Sequence, residues 1–230
     1  MKKLQLFSTV TVSALLLLAP TGAISHEAGD IIVRVGAASV RPEEESSTIS
    51  TTATGALAST SVDANNNTQL GLNLVYMISD NFGIEVLAAT PFEHDLTAAG
   101  LDLYGFNTTD LGSSKQLPPT VTAQYYFGSA QSSVRPYIGI GVNYTTFFSK
   151  DLSRDAKTEL AANSLDLDDS FGLAARAGVD FILSNNWILN ASLWKINIET
   201  DASFDSALGK VKVGADLNPW VYMVSLGYKF

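Results

Sequence analysis

Eight stretches of this chain alternate apolar and polar residues with the two-residue period of a β-strand, not the 3.6-residue period of a helix. The last is the clearest. Trp220, Tyr222, Val224, Leu226, Tyr228 and Phe230 share one parity, and Val221, Met223, Ser225, Gly227 and Lys229 share the other. The same reading places a first strand over Asp30 to Arg41, a second over Thr68 to Ile78 and a third from Phe82 to Ala89. A fourth follows Pro118 and Pro119 through Val121 to Phe127, and a fifth runs through Tyr137 to Tyr144. The sixth covers Phe171 to Phe181, and the seventh goes from Trp187 to about Glu199. One row of each strand is almost wholly apolar, and in the terminal strand that row has aromatic residues near both ends.

The connections between these segments alternate in length. Ser79-Asp-Asn81, Gly128 to Ser133 and Ser184-Asn-Asn186 are short turns. The stretches after Pro42, after Thr90, over Lys150 to Asp169 and over Thr200 to Leu217 are long, polar and read as loops. Within them, Ala156 to Leu165 has helix-forming residues for one or two turns, and some of Val211 to Leu217 reads as an extension of the terminal strand with altered parity at Asn218-Pro219. Eight alternating segments of about ten residues with alternating short and long connections predict an eight-stranded antiparallel transmembrane β-barrel. A closed ring leaves no unpaired strand edge in lipid, which an open sheet would.

Polarity then assigns faces. Arg34 in a lipid-facing row would cost roughly 2 to 4 kcal/mol at mid-depth, so its row turns inward. By the same parity Glu85, Arg176, Asp180 and Lys229 join it as an expected interior network of ion pairs that plugs part of the lumen. Leu87, Trp194, Ile196, Val221 and Met223 also turn inward and are expected to supply an apolar wall, with Gly139, Gly141 and Gly172 leaving room. The outward Lys195 is expected near the headgroups, where its stem can snorkel.

Composition narrows the setting. Lys2 and Lys3, the apolar run through Leu15 to Leu18 and the small-residue pattern Ala23-Ile-Ser25 predict a secretory signal peptide over residues 1–25, leaving the barrel domain as 26–230. There is no cysteine, so packing and backbone closure hold the exported chain. The net charge of −9 argues against a nucleic-acid partner. Beyond the leader only His26 and His94 could serve as imidazole bases, and no HExxH, P-loop or Gly-x-Ser-x-Gly motif is present. Glu93-His94-Asp95 reads as a solvated rim, because three adjacent strand residues do not converge on a metal. The chain is therefore read as no enzyme, with no metal site and no cofactor.

Several runs resemble the OmpW family of small outer-membrane proteins: His26-Glu-Ala-Gly-Asp30, Leu87-Ala-Ala-Thr-Pro-Phe92, Leu117-Pro-Pro-Thr120 leading to Gln124-Tyr-Tyr-Phe127, Arg135-Pro-Tyr-Ile-Gly-Ile-Gly-Val-Asn-Tyr144 and Pro219-Trp-Val-Tyr-Met223. In this order they span the chain after the leader. The resemblance implies a monomeric barrel in the Gram-negative outer membrane, surrounded by lipid or lipopolysaccharide, that passes small hydrophobic solutes and releases them axially or sideways into the membrane. It implies a lumen constriction at Leu87 and Trp194. It also implies that Phe230 is the signal read by the outer-membrane assembly machinery. The other function that the family implies is a structural or loop-mediated one, in stress adaptation or in bacteriocin or phage attachment, with a blocked lumen.

Overall fold

The computed structural model describes residues 26–230 apart from residues 44, 47, 185 and 208. The expected signal peptide lies outside the described residues. Eight strands form the barrel: β1 (Ile31–Arg41), β2 (Asn67–Met77), β3 (Phe82–Ala89), β4 (Thr120–Tyr126), β5 (Val134–Leu152), β6 (Ser170–Ile182), β7 (Trp187–Ile196) and β8 (Trp220–Lys229). Each pairs antiparallel with its neighbours in the chain. β8 then pairs with β1, from Ile32–Lys229 to Arg41–Trp220, and closes the ring.

Closure explains the two rows. Outward residues have no protein to pack against, and Ile140, Phe171 and Leu173 are 73%, 72% and 68% exposed. An apolar belt of this kind around the whole barrel is matched to lipid hydrocarbon. At the short-turn end, aromatic rings gather edge to face: Phe82, Tyr125 and Phe127 on one side, Trp187, Tyr228 and Phe230 on another. Lys195 reaches the polar boundary at the other end, where it pairs with Glu43 and lies 5.0 Å from the Trp220 ring.

The long connections are more ordered than their composition suggests. Ser61–Ala64, Phe92–Ala99 and Asp110–Leu117 pair in sequence and add to the far half of β5. That is why β5 runs past Tyr144 to Leu152. On the opposite side Asn163–Leu167, Glu199–Ser206 and Gly209–Asp216 form a second small sheet with Ser50–Thr51 and Gly55–Ala56. Four expectations change accordingly. β7 stops at Ile196, and Glu199 begins a separate strand. Most of Val211 to Leu217 pairs with that strand and does not extend β8, with Asn218 at a positive φ of 31° marking the break. The helix α1 occupies Arg154–Glu159, capped by Ser153 Oγ accepting from Ala156 N at 2.9 Å, and Asn163–Leu167 is strand. The two small sheets also enclose their own core, including Ile49, Leu57, Leu111, Leu152, Phe204 and Val211. Alternation in these segments rests mainly on Ser, Thr, Ala and Asp, whose weak hydrophobic contrast hides the period.

Candidate functional site

The lumen has three levels. The lowest, near the short turns, is a polar lock. Arg34 donates from Nη2 to Asp180 Oδ2 at 2.5 Å and from Nη1 to Glu85 Oε2 at 3.1 Å. Arg176 pairs with the other Glu85 oxygen and donates to Tyr137 Oη at 2.5 Å. Two guanidinium groups thus meet two carboxylates. Asn190 donates to Asp180 Oδ1 at 2.7 Å, and the Tyr126 hydroxyl joins Arg34 at 3.0 Å to Gln124 at 2.7 Å. All four charged groups are essentially sealed from solvent, which is tolerable because each is paired.

Sequence parity placed four members of this lock inward but missed His26, which is fully buried with Nε2 2.8 Å from Asp180 Oδ2. No alternation precedes β1 to reveal it. Tyr126, Tyr137, Gln124 and Asn190 carried a usable signal: all lie on inward rows near the level of Arg34. Lys229 is corrected in its place: it sits at the barrel's end, where it pairs with Asp30 Oδ2 at 3.4 Å. The inward row of β8 has reached the rim by that residue. Phe230, beside it, is exposed and donates its backbone N–H to Ile31 O at 2.9 Å.

The middle level is packed. Leu87 and Trp194 are both buried there, and Arg176 lies 4.1 Å from the centre of the Trp194 ring. Ile196, Val221 and Met223 belong to the same cluster as Phe92 and Phe147. They are core, not the wall of an open space, because an eight-stranded barrel is just wide enough for inward side chains to fill. The glycines are corrected too. A Cβ on Gly141 would strike the backbone at Val121, and one on Gly172 would strike Asn197 O. They let neighbouring chain segments approach closely and add no room to the lumen.

Open space appears one level higher, among the extended strands. A cavity is lined by apolar residues that include Val40, Phe147, Leu167, Ala202, Val213 and Leu217. His94 and Gln116 face it from adjacent strands. The expected solvated rim therefore fails at His94, which is 6% exposed, although Glu93 and Asp95 are exposed. Alternation within Phe92–Ala99 turns Phe92, His94 and Ala98 inward together. His94 Nδ1 lies 2.6 Å from Asn65 O, and Nε2 lies 3.0 Å from Gln116 Nε2. Burial holds the His94 pKa below the ordinary histidine value, outweighing the pull of neighbouring Asp95.

Just beneath the cavity the wall is interrupted. β3 pairs with β4 as far as Leu87–Thr120, and pairing resumes only at Phe92–Gln116. The intervening residues 88–91 and 117–119 include Pro91, Pro118 and Pro119, none of which has an N–H to donate. The break adjoins Gln116, a cavity residue, and faces the lipid belt.

A family model described as the OmpW family matches residues 27–230. The chain belongs to the OmpW family. Its relatives include outer membrane protein W of Vibrio cholerae, 46% identical over 206 residues, covering 90% of this chain and 91% of that one. Outer membrane protein W of Escherichia coli is 41% identical over 230 residues and matches end to end. Among solved structures, the crystal structure of the outer membrane protein OprG from Pseudomonas aeruginosa superposes with a TM-score of 0.85 at 41% identity, covering 91% of this chain and 99% of that one. The barrel of this OmpW-family chain thus lies in the Gram-negative outer membrane. Short turns of such barrels face the periplasm and long loops the exterior. The lock is on the periplasmic side and the cavity on the external side.

Proposed function

We propose that this protein takes small apolar molecules into its external cavity and releases them sideways into the membrane through the break between β3 and β4. The observation that carries the reading is the position of an almost wholly apolar cavity directly above a packed and ion-paired floor, beside a gap in the strand ladder. Apolar walls favour apolar solutes by removing their surface from water, about 25 cal/mol per Å². Axial passage would require unpacking Trp194 and separating buried charges, whereas sideways passage crosses a stretch where β3 and β4 share no ladder pairing. No bond is made or broken.

The test is uptake of N-phenylnaphthylamine, which fluoresces on entering a bilayer, by intact cells carrying the protein or an empty vector. Replacing Pro91, Pro118 and Pro119 together with valine restores N–H donors for pairing across the break, and Ala202→Trp fills the cavity. Both variants are expected to slow uptake toward the empty-vector rate while keeping the heat-modifiable electrophoretic shift of a folded barrel. Equal uptake by wild-type and empty-vector cells would sink the transport reading and leave a barrel that serves its loops.

A further inference from the structure

Within the apolar cavity one polar demand is unmet. Asn65 O is a carbonyl oxygen and only accepts, so the 2.6 Å contact requires His94 to carry its proton on Nδ1. In the neutral ring this leaves Nε2 as an acceptor. The Gln116 group 3.0 Å away must then present its NH₂ end to the ring, since a carbonyl oxygen there would oppose lone pair to lone pair. The amide orientation is thereby set, and Gln116 Oε1 points elsewhere. That oxygen is buried and has no hydrogen-bond partner, in a residue that is 3% exposed and lines the cavity. No other described residue of the cavity lining has a buried side-chain polar atom without a partner.

A buried acceptor of this kind is costly until a donor reaches it. Water is poorly suited to meet it, because a stable buried water needs two to four polar partners, whereas the Ser114 and Thr200 hydroxyls on the wall already donate to Lys115 O and Asp168 O, and Asp63 is exposed. An ion is disfavoured too, since the wall carboxylate, Asp63, is solvent-exposed and a lone carbonyl oxygen does not repay the desolvation of a charge. A neutral amphiphile answers both features at once. We propose that the cavity selects apolar molecules carrying one uncharged hydrogen-bond donor, as in alkyl or aryl alcohols and N–H heterocycles, with the donor on Gln116 Oε1 and the hydrocarbon body against the apolar wall. His94 acts as the positioning residue that holds the amide in the accepting orientation. This selection rests on the reading that the cavity takes apolar solutes, and it adds which of them are preferred.

The test compares 1-naphthol with 1-methoxynaphthalene, which share a ring system but differ in the donor. Binding is read by intrinsic probe fluorescence in nanodiscs holding the full chain, with protein-free nanodiscs subtracted, at neutral pH. Wild type is expected to favour 1-naphthol by roughly tenfold, the value of one well-placed hydrogen bond to an otherwise unsatisfied group. Gln116→Met keeps the volume and removes the acceptor; it should erase the preference while leaving 1-methoxynaphthalene binding within about twofold. Ala202→Trp should abolish binding of both. Equal binding of the two probes by wild type overturns the donor selection but leaves apolar uptake standing, and this comparison does not depend on any variant folding. A naphthol preference that survives in folded Gln116→Met also overturns it. Failure of both probes to bind above protein-free nanodiscs overturns the selection and the cavity's proposed use together.

Discussion

Arg34 and Asp180 stand 146 positions apart in sequence and 2.5 Å apart inside the barrel, both sealed from solvent. Their contact crosses the lumen and joins β1 to β6, two strands that do not pair with each other. Removing one partner leaves the other charge buried without its principal counter-ion, so Asp180→Asn is expected to destabilise the barrel by about 3 to 5 kcal/mol. The double variant Arg34→Met with Asp180→Asn should cost clearly less than the sum of the single changes. Urea unfolding in phospholipid vesicles measures all three, and additive losses would show that the two groups are not coupled.

Leu87 and Trp194 lie in the packed middle level, so their truncation tests the route as well as stability. Leu87→Ala should cost about 2 to 5 kcal/mol and Trp194→Ala about 3 to 5 kcal/mol, as in other well-packed interiors. Neither should raise uptake of N-phenylnaphthylamine, because the Arg34–Asp180 and Arg176–Glu85 pairs still close the barrel beneath them. A marked rise in uptake on either truncation would restore an axial route.

Gly36 stands where β1 meets β8 at the closing seam, paired with Ser225. A Cβ at this position would run into Val224 O and the Ser225 backbone. Gly36→Ala is therefore expected to cost at least the ~1 to 3 kcal/mol typical of overpacking and to reduce the yield of heat-modifiable folded barrel. Ala37→Gly, at the neighbouring position that faces outward, serves as the comparison. If Gly36→Ala folds with wild-type yield and urea midpoint, the seam is looser than its geometry indicates.

The buried His94 imparts a pH dependence to the external strands. Its folded-state pKa is lowered by burial, so the unfolded chain binds the proton more readily. The neutral ring's stabilisation is complete above the unfolded value of about 6.5 and declines as pH falls below it. The Asn65 carbonyl and Asp95 beside it favour protonation without offsetting burial. Hydrogen exchange, corrected for intrinsic rates, should accelerate over Phe92–Ala99 and Asp110–Leu117 between pH 7.5 and 5.5. His94→Gln should flatten that response. An identical acid response in the variant would assign it to other groups.

The barrel strands were legible because lipid outside and side chains inside impose opposite demands on alternate residues. A single misplaced charge, such as Arg34, was enough to orient a row. The external strands were not legible. Segments such as Glu199–Ser206 and Asp110–Leu117 are rich in Ser, Thr and Asp, and they become strands because partners distant in the chain satisfy their backbone groups. His94 illustrates the loss: read locally it is a polar residue between two acids, and only pairing with Asp110–Leu117 turns it into the cavity.

The amino-acid sequence by itself determined the number of barrel strands, their faces and the inward placement of Arg34, Glu85, Arg176 and Asp180, since period and transfer cost act residue by residue. Tertiary structure decided which inward residues meet and where space remains. Parity states that Lys229, Met223 and Trp194 turn inward, but not their height along the axis or whether neighbours fill the volume beside them. Those depend on strand register and on the summed volume of side chains contributed by eight separate segments. The same collective packing sealed the lower lumen with Arg34 and Asp180, and it left the open volume above Trp194, beside Gln116.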